Sequence, residues 1–211
     1  MSATIIFDLD GTLMDTRRDL AQAGNHARAA VGLPELPIEA VIACVGEGAD
    51  KLIERLSPGC SAAQRVLALA AFKRFYGEHC TEQTVPYAGV PEMLEALRDR
   101  GWQLAVATNK PFSFSRRILE HAGLWARLAG LRGGDGAKKP DPTQLRELFA
   151  ETASLPAAGW MVGDHFTDLA AAHAAGCRSI FCRWGFGEAR DQRADATADH
   201  PADVVRIVDG G

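Results

Sequence analysis

No apolar run in this 211-residue chain approaches the roughly 20 residues needed to cross a bilayer. No membrane-spanning helix is therefore expected. An excess of positive charge is also missing. The chain carries 23 Lys and Arg against 27 Asp and Glu, for a net charge of -4. That balance lacks the basic footprint of a nucleic-acid binder. Cysteine is scarce and unpatterned: Cys44, Cys60, Cys80, Cys177 and Cys182 form an odd set without a C-x-x-C pair. Disulfide frameworks and zinc ribbons need more than this, so reduced thiols in a cytoplasmic protein are expected. The opening MSATIIFDLDG has no charged n-region and no long apolar h-region, and no secretory leader is expected. Internal repeats and low-complexity tracts are absent.

Short apolar runs alternate with amphipathic stretches over most of the chain. This pattern predicts an α/β fold with a parallel sheet. Strands are expected at residues 3–9, 103–108, 128–132, 159–162 and 179–182, with a short one near 196–198. Helices are expected at 90–100, 114–122, 142–152, 167–175 and 201–208. Between Asp15 and about Pro86 the alternation stops, and no strand signal stands out. Leu20, Ala23, Ala27, Ala30 and Val31 recur at helical spacing there. So do Leu52, Ile53 and Leu56, and then Val66, Leu69, Ala70, Phe72 and Phe75. The spacing predicts a helical insertion at residues 16–86. Residues 1–15 and 87–211 then form an α/β core.

The first strand ends in FDLDGT. Asp8 and Asp10 lie on one side of the chain if the extended geometry persists. Two close carboxylates are costly unless something compensates them. In an open parallel sheet, ligands bind beyond the carboxyl ends of strands. A divalent cation held by carboxylate oxygens would offset both charges. Gly11 permits a sharp turn, and Thr12 can hydrogen-bond within it.

Three more polar clusters fall just after a predicted strand or just before a helix. LAVATNK ends in Thr108, Asn109 and Lys110. The hydroxyl, the amide and nearby backbone N–H groups there suit phosphate oxygens. AKKPDP places Lys139 before Pro140, where the backbone is held extended and the ammonium suits a phosphate. VGDHFTD brings Asp164 to a strand end and Asp168 to the first turn of a helix. Asp164 is a candidate metal ligand. Asp168 either orients Lys139, holds a metal-bound water, or favours the helix start.

The stretches FDLDGTLMDT, AVATNK, KKPDP and VGDHFTD, in this order, resemble the haloacid dehalogenase superfamily of phosphatases. The likeness covers nearly the whole chain. VGEGADKLIERL, VPYAGVPEMLEALRDRGWQLAVATNKP and RWGFGE are similar to the phosphoglycolate phosphatase branch. The resemblance implies a Rossmann-like core carrying an all-helical cap. It implies Asp8 as nucleophile, forming an aspartyl-phosphate, and Asp10 as acid and then base. Mg2+ would be held by Asp8, the Asp10 backbone carbonyl and Asp164, with Asp168 acting from just outside. Thr108 and Lys139 would hold phosphoryl oxygens, helped by the backbone N–H groups of Leu9 and Asn109.

The expected partner is a small phosphorylated metabolite, with 2-phosphoglycolate as the candidate. Neither nucleic acid nor membrane is expected as a partner, and the chain is expected to be a monomer or homodimer. A sugar-phosphate mutase of the same superfamily, or a non-hydrolytic phospho-aspartate signalling or binding protein, is the alternative. Gly46, Glu47 and Gly48 precede a helix and suit either a substrate carboxylate or a plain turn. Lys51, Arg55, Arg17 and Arg18 are either substrate contacts or solvated. His165 is assigned no catalytic role, and either shapes the metal site or faces solvent. Trp184, Gly185, Phe186 and Gly187 line a pocket entrance or pack on the core.

Overall fold

The computed structural model describes residues 3–210; residues 1, 2 and 211, the extreme ends of the expected core, lie outside it. In chain order, β1 (Thr4–Phe7) and β2 (Met14–Asp15) are followed by α1 (Arg17–Ala29), α2 (Ile38–Ile42), α3 (Ala49–Leu56) and α4 (Ala62–His79). β3 (Val85–Pro86), α5 (Val90–Asp99), β4 (Gln103–Ala107), α6 (Phe112–His121), β5 (Gly130–Arg132) and α7 (Thr143–Glu151) come next. β6 (Trp160–Gly163), α8 (Phe166–Ala175), β7 (Arg178–Cys182), β8 (Ala196–Ala198) and α9 (Pro201–Gly210) complete the chain.

The main sheet has the order β5-β4-β1-β6-β7-β8, and every pair is parallel. Parallel strands are covered on both faces, so the central ones read as unbroken apolar runs. The four residues TIIF of β1 are all buried. Alternation divides them between two layers. Ile5 and Phe7 pack with Leu94 and Leu97 of α5 and Val204 of α9. Ile6 packs on the other side with Ala105, Met161, Leu148 and Phe149. Burial of each such large side chain contributes roughly 1.5–3 kcal/mol.

β1 ends two residues short of the expected 3–9. β1 stops at Phe7 because Leu9 leaves the ladder: its carbonyl accepts from the N–H groups of Leu13 and Met14 at 3.1 and 2.9 Å. The expected helical segment is present as α1 to α4. On α1, Leu20, Ala23, Gly24 and Ala27 share the buried stripe. A Cβ on Gly24 would lie 2.8 Å from Val41 Cγ1 and 3.0 Å from Leu56 Cδ1. The small residue thus lets α1 approach its neighbours closely. α4 opens with a capping box between Ser61 and Gln64. Its buried residues are Ala68, Phe72 and Tyr76. Val66, expected on the apolar face, is 67% exposed.

Two features mark the ends of the helical segment, and the first corrects the expectation that it is strand-free. β2 and β3 pair antiparallel, with Met14 opposite Pro86 and Asp15 opposite Val85. This two-residue ribbon lies where the chain enters and leaves the helices. Strands so short carry no readable periodicity. The second is Asp19 on α1, whose buried carboxylate accepts from the N–H groups of Gln83 and Thr84 and from the Thr84 hydroxyl. It fixes α1 to the chain just before β3. Among the described residues, no helix is long and apolar enough to cross a membrane.

Candidate active site

In the main sheet the central strand β1 has β4 on one side and β6 on the other. Strand order reverses around β1, which opens a crevice beyond the carboxyl ends. Asp8 follows β1, Thr108 follows β4 and Asp164 follows β6. The residues expected at these strand ends therefore converge in space.

Lys139 lies at the centre. Its Nζ is 2.9 Å from Asp8 Oδ1 and 2.6 Å from Asp168 Oδ1, and it donates to the Ala107 carbonyl at 2.5 Å. Its side chain is 1% exposed. Burial opposes the ammonium charge, but Asp168 and Asp8 overcome it and hold the Lys139 pKa above its ordinary value. Burial pushes the Asp8 carboxyl up to about 6 against the pull of Lys139, with Asp168 and Asp10 adding to the rise. Asp168 also accepts from the His165 backbone N–H at 3.0 Å. Both its oxygens are thus engaged, which suits the orienting role for Lys139.

Asp164 is held by the loop after β7. Its Oδ2 accepts from the backbone N–H groups of Phe186 and Gly187 at 3.0 and 2.8 Å. The Thr12 hydroxyl donates to Oδ1 at 3.1 Å, and Trp184 Nε1 donates to the Thr12 carbonyl at 3.0 Å. Of Trp184 to Gly187, Phe186 and Gly187 line the pocket, while Trp184 and Phe186 pack against the core. Thr12 does more than stabilise its turn. Burial, then Asp8 and Asp168, push the Asp164 carboxyl up to about 8. Oxygens from Asp8, Asp164 and Asp168 all lie within 4.8 Å of one another. Asp10 contributes no side-chain oxygen to this cluster.

Gly11 is required by this packing. Its φ is +82°, and a Cβ there would fall 2.1 Å from Asp164 Oδ2. Gly11→Ala is expected to lower stability by about 1–3 kcal/mol and to weaken metal binding. Thermal melts and a metal titration check this. An alanine variant matching the parent in both would contradict the role assigned to the turn.

Asp10 faces a second lysine. Lys110 Nζ is 2.9 Å from Asp10 Oδ2 and donates to the Tyr76 hydroxyl on α4, also at 2.9 Å. Asp10 Oδ1 is buried without a hydrogen-bond partner. The sequence reading missed this use of Lys110 and missed Tyr76. Phe72 and Phe75 at helical spacing were the only signal near it. Thr108 is 2% exposed, and its hydroxyl accepts from the Lys110 N–H at 3.2 Å.

The Asn109 amide is engaged within the protein. Its Nδ2 donates to the Gly46 and Lys139 carbonyls at 3.0 and 2.8 Å, and its Oδ1 accepts from the Lys139 N–H at 2.8 Å. The side chain positions Lys139 and joins it to the Gly46 loop, which leaves only its backbone N–H for a phosphate. His165 does not face solvent. It caps α8, and a Cβ on Gly46 would lie 2.5 Å from its Nε2. Burial lowers its pKa to about 4, so the ring is neutral at neutral pH.

The basic side chains considered for substrate contact are directed elsewhere. Arg17 pairs with Asp15 at 2.6 Å and Lys51 with Glu54 at 2.8 Å, while Arg55 pairs with Glu47. Arg18 is exposed. A cavity of about 60 Å³ lies between α1, α3 and α4 and the strand ends. Leu20, Leu52, Phe72 and Phe114 form its apolar wall, and Asp8 and Asp10 its polar end.

Residues 5–182 match the family model for haloacid dehalogenase-like hydrolases. The chain belongs to this family, and within it the chain is a phosphatase. It is 33% identical over 207 residues to a phosphoglycolate phosphatase of Aquifex aeolicus, covering 97% of this chain and 96% of that one. It is 36% identical over 216 residues to a phosphoglycolate phosphatase of Vibrio vulnificus, strain YJ016, covering 97% and 95%. A crystal structure of a predicted phosphoglycolate phosphatase from Haemophilus somnus superposes with a TM-score of 0.91 at 31% identity, covering 98% of this chain and 97% of that one.

Proposed function

We propose that this phosphatase hydrolyses a small phosphate monoester, 2-phosphoglycolate being the candidate that its relatives' names suggest, through an aspartyl-phosphate on Asp8. The observation that carries the reading is the convergence of Asp8, Asp10, Thr108 and Asp164 around one small cavity, with Lys139 Nζ 2.9 Å from Asp8. Asp8 attacks phosphorus, and the ester bond to the alcohol oxygen breaks. Asp10 gives its proton to that oxygen. It then takes a proton from the water that attacks the aspartyl-phosphate, which releases phosphate and restores Asp8. Its unpartnered Oδ1 supports this use. Lys139 and the Thr108 hydroxyl hold phosphoryl oxygens, as do the backbone N–H groups of Leu9 and Asn109. Residues 16–86 act as a cap that excludes bulk water from the core formed by 1–15 and 87–211.

The site suits a divalent cation. Three buried carboxylates share one ammonium, so negative charge is in excess where water cannot screen it. Hard oxygen donors suit Mg2+, which Asp8, the Asp10 carbonyl and Asp164 would hold, with Asp168 just outside. When bound, the ion neutralises charge on the phosphoryl oxygens. We place the protein in the cytoplasm, as a monomer or homodimer. All five cysteines are free, which supports that compartment.

The raised carboxyls give a pH dependence. Asp8 at about 6 and Asp164 at about 8 both sit above an unfolded carboxylate. Their contribution favours the fold at low pH and is lost as pH rises through those values. Metal-free protein is therefore expected to melt at progressively lower temperature between about pH 5 and about pH 9. The rise in melting temperature on adding Mg2+ is expected to grow over the same range, because binding displaces protons. Melts with and without chelator check this. Metal-free stability that climbs with pH would contradict it.

The direct test of the function is phosphate release from a panel of monoesters with Mg2+ or chelator. The panel includes 2-phosphoglycolate, sugar phosphates and nucleotides. A sugar bisphosphate is added in one arm to expose phosphoryl return to a sugar. Metal-dependent release with one small ester favoured in kcat/KM is expected. Isomerised sugar without net phosphate, or no release by folded, metal-loaded protein, would contradict hydrolysis.

A further inference from the structure

We propose that Lys110, fixed by Tyr76 of α4, selects phosphate monoesters whose leaving alcohol carries a carboxylate. The inference rests on the phosphatase reading above and adds the residue that recognises the substrate's second charge.

Position supports it first. Lys110 Nζ lies 2.9 Å from Asp10 Oδ2, beside the group that protonates the leaving oxygen. In 2-phosphoglycolate one methylene separates the ester oxygen from the carboxylate carbon. A cation beside the acid therefore meets a charge at that separation.

The second support is donor count. An ammonium has three N–H donors. Asp10 and the Tyr76 hydroxyl account for two, which leaves one for a ligand. Tyr76 is 1% exposed, and its ring edge-packs on Phe114 with centroids 5.4 Å apart. The hydroxyl is thus a rigid anchor supplied from α4, and Lys110 is aimed rather than mobile.

The third support is the shortage of other cations. Among the residues lining the cavity, Lys110 is the sole lysine or arginine. Lys139 is not among the residues that line the cavity, and its place beside Asp8 assigns it to the phosphoryl group. Arg17, Lys51 and Arg55 are paired with their own neighbours. The cavity wall also carries apolar side chains, including Leu20, Phe72 and Phe114. The Lys110 side chain is 4% exposed. A charge pair formed there is screened far less than one at the surface.

The simpler role for Lys110 is to neutralise Asp10, and the two roles separate experimentally. The experiment compares kcat/KM on 2-phosphoglycolate and on its uncharged amide isostere, 2-phosphoglycolamide, for wild type, K110M, K110R and Y76F. Wild type is expected to prefer the acid. K110M is expected to lose that preference by roughly ten- to a hundredfold, beyond any loss common to both esters. K110R, which keeps the charge, is expected to restore part of it. Y76F is expected to reduce it less, through KM more than kcat.

Equal losses of K110M on both esters, or an unchanged preference, would overturn the inference. So would a wild type that hydrolyses both esters equally. Wild type that hydrolyses neither ester nor any other monoester would instead sink the phosphatase reading. If K110M does not melt cooperatively, Y76F decides: a reduced preference supports the role of Lys110, and an unchanged one overturns it.

Discussion

Asp8→Asn is expected to reduce turnover by on the order of 10⁵-fold or more while leaving the protein folded. An amide in place of the carboxylate cannot attack phosphorus. The fold should tolerate the change for a separate reason. Burial drives the Asp8 carboxyl up to about 6, so the charged form is disfavoured where it lies. A neutral isostere of the same shape removes that cost, while Lys139 keeps Asp168 as its partner. Metal-free protein at neutral pH is expected to melt within a few degrees of the parent. Turnover and a thermal melt check both parts. Retained turnover would remove Asp8 from the nucleophile's role. A large loss of stability would mean that its charge holds the site together.

Lys139→Met is expected to do the opposite to stability. Lys139 is the cation shared by Asp8 and Asp168, and all three are buried. Removing one partner leaves buried charge uncompensated, at a cost of roughly 3–5 kcal/mol. Activity should fall by about 10³-fold or more, because the proposed mechanism has Lys139 hold a phosphoryl oxygen. The stability deficit should shrink in mild acid, since Asp8 then carries a proton and no longer needs a counter-charge. Melts across pH without metal test this. A Met variant as stable as the parent at neutral pH would show that the lysine is not the electrostatic centre of the site.

The contrast between these two substitutions reflects how much of the site is visible along the chain. Asp8, Thr108 and Asp164 each follow an apolar run directly, so the end of a buried strand and the start of chemistry coincide in the sequence. Their convergence follows once the sheet is parallel and β1 is central. The supporting contacts are long-range and leave no local trace. Thr12 holds Asp164 across 152 residues, and Lys110 reaches Tyr76 across 34. Asn109 reads as a phosphate donor from its place at a strand end. Its amide is instead used on the Gly46 and Lys139 backbones, a partnership set by tertiary packing.

The helical segment shows the same division. Its existence is readable from the 3.6-residue spacing, but its exact face is not. α4 is rich in Ala, Leu and Phe on several sides, so periodicity does not separate exposed Val66 from buried Ala68. The β2–β3 ribbon is two residues per strand, shorter than any pattern can register. A lone histidine such as His165 has no spacing to interpret, so the sequence leaves it either solvated or metal-shaping. Its burial against Gly46 depends on where that glycine loop is placed by α2 and α3.

The central claim is that phosphoryl transfer passes through Asp8. The most direct measurement mixes enzyme, Mg2+ and a monoester radiolabelled in its phosphoryl group, quenches in acid before the first turnover is complete, and maps the label by peptide sequencing. The account predicts a label that is labile to base, located on the peptide carrying Asp8, and released as phosphate at the rate of turnover. Labelled phosphate appearing with no labelled protein at any quench time, or a label on another residue, would contradict it.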